Sequence, residues 1–127
     1  MIKLTFCLHR LPSLSREQFQ LYWREQHAPL VKAAAPHLGI KRYVQCHTGE
    51  HAVITSGAHV RGIPHGQGED FDGVAELWFD DDLGSVQSTD EEREQATKHA
   101  QILLEDEAKF IDFNRSRMFT SHELQVI

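Results

Sequence analysis

Hydrophobic and polar residues alternate over positions 2–9, IKLTFCLH, with Ile2, Leu4, Phe6 and Leu8 on one side and Lys3, Thr5, Cys7 and His9 on the other. That two-residue period predicts a half-buried strand. The period then changes. Phe19, Trp23, His27, Leu30, Val31 and Ala34 recur at three- and four-residue spacing, one stripe of an α-helix. Ser15 followed by Gln18 supplies a capping box for its start, and Pro36 with Gly39 sets its end near Leu38. Residues 40–48 predict a second strand, with Tyr43, Gln45 and His47 on one side and Ile40, Val44 and Cys46 on the other. Residues 71–80 predict a third, Phe71, Ala75, Leu77 and Phe79 opposing Asp72, Val74, Glu76 and Trp78. Ser88, Thr89, Asp90 and Glu91 form an acidic cap that opens a second helix. Its apolar positions Ala96, Ala100, Leu103, Leu104 and Ala108 carry it to about Glu107 or Ile111, and residues 119–127 read as a last strand. Residues 49–70 hold five glycines and three histidines and predict a long loop with one short helix near 51–59.

The order strand, helix, strand, loop, strand, helix, strand predicts an α+β domain, a ferredoxin-like βαββαβ with a four-stranded antiparallel sheet and both helices on one face. At 127 residues this is a single domain, 1–127. Leu4, Phe6, Leu8, Ala75, Leu77 and Phe79 cover the helical side. The other face, with Thr5, Cys7, Glu76 and Trp78, stays bare in a monomer and calls for a second copy packed sheet to sheet.

Charge and composition narrow the partners. A net charge of −6 with nine neutral histidines argues against nucleic acid, and no apolar run approaches the length of a membrane span. Without a charged-then-apolar leader the expected compartment is cytoplasmic, where Cys7 and Cys46 are reduced thiols. Neither has an activating cation or helix end beside it in sequence, which argues against nucleophilic chemistry.

His27 carries the first candidate chemistry. It lies inside the apolar stripe, two residues before Pro29, which cannot donate to the helix ladder and should open the Glu25 carbonyl. The plain alternative is a core histidine bonded to a backbone carbonyl. His47 shares a strand face with Tyr43 and is the natural second acid–base group. His47, His51, His59 and His65 are spaced by four, eight and six residues, which is no usual zinc pattern, so no metal is expected. The loop glycines lack the lysine–serine pair of a phosphate loop, and nothing suggests another cofactor. Asp72 and Glu76 read as structural groups on the dimer face.

REQHAPLV on the first helix, RYVQCH on the second strand, FDGVAELWF on the third and DEAKFIDFNRSRMFTSHE near the end together resemble the EthD family. The resemblance implies the dimeric α/β-barrel superfamily, a homodimer, and a pocket for a small hydrophobic organic ligand between sheet and helices. Relatives of that kind include a methylmuconolactone isomerase and fungal polyketide dehydratases and decarboxylases. It implies a cofactor-independent enzyme doing proton-transfer chemistry (isomerisation, dehydration or cyclisation) on a lactone-, aromatic- or polyketide-like substrate. His27 matches the helical histidine of the family motif, and Tyr43 a strand tyrosine that lies near the lactone in isomerase-like relatives. His27, Tyr43 and His47 are thus the expected catalytic set, with Trp23, Leu77 and the loop histidine His59 contacting substrate. Two other functions remain open: a non-catalytic accessory protein that carries an intermediate, and a cofactor-free monooxygenase.

Overall fold

A computed structural model describes residues 1–66, 68–83 and 89–127. The central strand β1 (Ile2–Leu8) is followed by a helical run in three pieces: α1 (Arg16–Tyr22), a π-helical turn (Trp23–His27) and α2 (Ala28–Leu38). Then come β2 (Ile40–His47), α3 (Ala52–Val60), β3 (Gly73–Phe79), α4 (Asp90–Glu107) and β4 (Arg117–Ser121). The strands form one antiparallel sheet in the order β2-β3-β1-β4. This is the ferredoxin-like arrangement.

The caps form as their residues dictate. Ser15 Oγ accepts from the Gln18 N–H at 3.1 Å while Gln18 Oε1 accepts from the Ser15 N–H at 2.8 Å. Gly39 closes α2 in the left-handed region, φ 73°, where a side chain would be strained. Thr89 caps α4 by accepting from the Glu92 N–H; Ser88, expected in the same cap, lies outside the described residues. Pro29 explains the π turn between the α segments. It has no N–H for the Glu25 carbonyl, and the helix widens so that the Ala28 N–H reaches back to the Trp23 carbonyl.

Leu8, Phe19, Trp23, Ala75, Phe110 and Ile111 are the buried core between sheet and helices. Gly73 lets that core close: a Cβ there would sit 2.9 Å from Trp23 Cη2 and 3.1 Å from the Cys46 carbonyl.

Several sequence expectations need correction. The last strand spans Arg117–Ser121, and residues 122–127 are exposed and outside it. Ile40 does not share a face with Val44 and Cys46. It pairs with Phe79 while Arg42 pairs with Trp78, so Lys41 is an extra residue in β2 that turns Ile40 to the helical side with Tyr43. Asp72 lies before β3 and is fully buried. Arg10 Nη1 and Arg16 Nε each lie 3.0 Å from its Oδ1, and the Arg10 N–H donates to Oδ2 at 2.8 Å. Burial alone would raise this carboxyl, but those hydrogen bonds hold it below its ordinary range. His9 is likewise buried, its ring 4.6 Å from that of Phe71.

Candidate functional site

Between the inner sheet face and the helices lies an apolar cavity of about 300 Å³. Its walls come from every layer: Phe6 of β1, Leu77 of β3, Trp23 and His27 of the π turn, Tyr43 of β2 and Glu107 of α4. The three ionisable groups stand in hydrocarbon surroundings, and each is held differently.

His27 is 5% exposed. Its Nδ1 is 2.8 Å from Asp106 Oδ2, while Asp106 Oδ1 accepts the Tyr22 hydroxyl at 2.6 Å. Burial would raise the Asp106 carboxyl, yet hydrogen bonds from Tyr22 and His27 hold it down, so it is ionised. An ionised carboxylate only accepts, which assigns the proton to Nδ1 and leaves Nε2 as the basic nitrogen. Burial outweighs the attraction of Asp106 and lowers the His27 pKa, so the ring is neutral at pH 7. A neutral imidazole with an oriented free nitrogen is competent as a base. Burial and Asp106 together push Tyr22 up to about 12.

Glu107 adjoins Asp106 on α4 and forms no hydrogen bond within the cavity wall. Burial, then the negative charge of Asp106, push its carboxyl up to about 7. This group was not among the expected site residues. The signal was available: Leu103, Glu107 and Phe110 are four and three residues apart, so Glu107 continues the inward stripe of α4.

Tyr43 is held by its neighbour Gln45. Gln45 Nε2 donates to the Trp23 carbonyl at 3.0 Å and to the Tyr43 hydroxyl oxygen at 2.9 Å, while its Oε1 meets His47 Nε2 at 2.8 Å. The carbonyl of Trp23 can only accept, which fixes the amide with its nitrogen toward Tyr43. Burial raises the Tyr43 pKa, with hydrogen bonding from the Gln45 and Trp23 side chains acting the other way.

The cavity thus brings together four of the expected residues, His27, Tyr43, Trp23 and Leu77. His47 is not in its wall. It packs against Trp23, ring centroids 4.6 Å apart and planes tilted by 34°, and reaches Tyr43 only through Gln45. His59 is on the exposed helix α3, edge-on to His65 at 6.2 Å. His51 and His65 line a second, larger space of about 610 Å³ beside α3, a groove of mixed polar and apolar lining apart from His27, Tyr43 and Glu107. Among the described residues no three His, Cys, Asp or Glu side chains gather in a way that could hold a metal ion. Burial and Glu76 push the Cys46 thiol up to about 11, and it donates to Glu76 Oε1 at 2.9 Å. No helix among the described residues is long and apolar enough to cross a membrane.

Comparison with curated proteins finds no match. Among solved structures, the chain is similar to an ethyl tert-butyl ether D (EthD) family protein from Bacillus halodurans C-125, with TM-score 0.57 and 19% identity over 98% of this chain and 99% of that one. It is also similar to an EthD-like protein from Ralstonia eutropha JMP134, with TM-score 0.53 and 17% identity over 94% of this chain and 88% of that one. At such identities the likeness speaks for the fold. The sequence itself matches the EthD domain over residues 11–114, and the chain therefore belongs to the EthD family.

Proposed function

We propose that this protein is an enzyme that, without a cofactor, moves protons on a small lactone-, aromatic- or polyketide-like molecule, in an isomerisation, dehydration or cyclisation. One observation carries the reading: a neutral histidine, oriented by a buried carboxylate, faces an apolar cavity large enough for a small ring compound. His27 Nε2 takes the proton, and Asp106 stabilises the imidazolium that forms. Tyr43 contacts the substrate, and Trp23 and Leu77 supply apolar walls. His47 acts on Tyr43 only through Gln45. In assembly, the outer sheet face meets a second copy to form a homodimer.

The reaction class can be tested before the substrate is known. Proton abstraction next to a carbonyl exchanges carbon-bound hydrogen for deuterium in heavy water. A panel of cyclic ketones, lactones and aromatic polyols followed by NMR should show protein-catalysed exchange. His27→Ala should cut that rate about 10²- to 10⁴-fold while leaving ligand binding nearly unchanged. Binding without exchange anywhere in the panel would favour a carrier. Unfolding of His27→Ala at markedly lower temperature with unchanged exchange would return His27 to a structural role.

A further inference from the structure

Two groups on the cavity wall have hydrogen-bonding capacity that the protein itself does not use. Tyr43 receives a hydrogen bond on its oxygen from Gln45, whose orientation is fixed by the Trp23 carbonyl and His47, so Tyr43 cannot point its own hydrogen at Gln45. Its hydroxyl has no acceptor among the described residues. Glu107 lines the same cavity from the opposite layer with no hydrogen-bond partner among them, and its charge is felt at Tyr43. A ligand that fills about 300 Å³ meets both walls. Both groups are half-buried, and a ligand that pairs them makes hydrogen bonds that the protein itself does not supply.

We propose that Tyr43 and protonated Glu107 form a two-donor site that holds a neutral organic ligand by a carbonyl or enol oxygen. This rests on the reading of the cavity as a substrate site and adds which end of the substrate is gripped, and by what. With its oxygen bonded there, the ring lies along Trp23 and Leu77, and the carbon next to the carbonyl is presented to the histidine side of the cavity.

The groups packed around Glu107 make its contribution separable by pH. From its own helix Asp106 is ionised, with Lys109 Nζ 3.6 Å from it. His27 of the π turn stays neutral above its ordinary range, and Tyr22 of α1 and Tyr43 of β2 stay protonated. Glu107 is thus the group facing the cavity that changes charge between about pH 6.5 and 8. Once ionised it can only accept, and it repels a carbonyl oxygen.

Calorimetry with 1-tetralone, tetralin and protonated 2-aminotetralin tests this on the intact protein. At about pH 6.5 the ketone should bind about tenfold more tightly than the hydrocarbon, reversing the penalty that a buried, unpaired carbonyl would impose. That preference should shrink toward pH 8. Glu107→Gln, which keeps a donor, should retain the preference and lose its pH dependence. Tyr43→Phe should lose most of the preference at every pH. The parent pH profile requires no variant to fold. A ketone bound no more tightly than the hydrocarbon overturns the proposal, as does pH dependence that persists in Glu107→Gln, or the amine outbinding the ketone at about pH 6.5. Catalysed exchange with any of these outcomes would leave the enzyme reading intact and remove only the two-donor site. No binding by any probe would remove both.

Discussion

Glu107 shows what a single half-buried carboxyl does to the energetics of this fold. Its carboxyl titrates near 4.5 when unfolded and at about 7 when folded, so the folded chain holds the extra proton between those values. Stability contributed by the protonated form is therefore full below about pH 4.5 and declines as pH rises through about 7. At about pH 8 the folded protein carries an unpaired carboxylate beside Asp106. Glu107→Gln removes that charge at nearly constant volume. It should raise stability at pH 8 by about 1–3 kcal/mol and change little near pH 4.5. Thermal midpoints of the two proteins at both pH values measure this; an equal shift at both would mean that Glu107 is ionised in neither state or in both. His27 was legible in the sequence because an imidazole in an apolar stripe is conspicuous. Glu107 was legible only by its spacing from Leu103 and Phe110, because LLEDEAKF contains three acidic residues among which composition cannot choose. Asp106, the partner that orients His27, was hidden by the same run, being 79 residues away in sequence.

At the scale of elements, the helical run and β3 fit each other through Trp23. The π turn carries Trp23 and His27 on one widened loop of helix, and Trp23 lies against Gly73, where β3 begins. Gly73→Ala would drive a methyl group into the indole ring, which is wedged between Phe19 and His47 and cannot swing away freely. The expected cost is about 1–3 kcal/mol from overpacking, read as an earlier urea midpoint. Because the ring also walls the cavity, the same variant should bind ligand more weakly. A neutral effect on stability would show that Trp23 has room to move, and with it the cavity wall. The run of elements was legible since each follows one period and one cap. The π turn was foreshadowed by Pro29, which opens a carbonyl, but proline alone does not say whether the helix kinks, breaks or widens. Gln45 donates to the Trp23 carbonyl, the same oxygen that takes the Ala28 N–H in that turn, a contact between elements that no local pattern contains. The bulge at Lys41 is similar: alternation placed Ile40 on the wrong face because an extra residue breaks the count.

The outer sheet face decides whether the whole molecule works as one chain or two. Alternation put Trp78 and Glu76 there and left them bare. In the single chain Trp78 is already only 8% exposed, since Arg42 and Lys3 lie over its ring at 4.4 and 5.0 Å and its indole N–H donates to Glu123. Lys3 in turn pairs with Glu76. The largest apolar side chain left open on this face is Phe119, opposite Thr5 on β4 and 54% exposed. A second sheet packed on this face would cover charges that are already paired, which lowers the desolvation cost that isolated charges would impose. It would also take Phe119 out of water. Light scattering at micromolar concentration should therefore give about twice the chain mass of 14.6 kDa. Phe119→Asp should return the mass to that of one chain, because an unpaired carboxylate buried in a closed interface costs several kcal/mol while the same residue facing water costs little. The cavity lies on the other side of the sheet, so ligand binding by the Phe119→Asp monomer should stay close to that of the parent. A parent protein that runs at one chain mass would show that the charged lid over Trp78 suffices to keep this face in water.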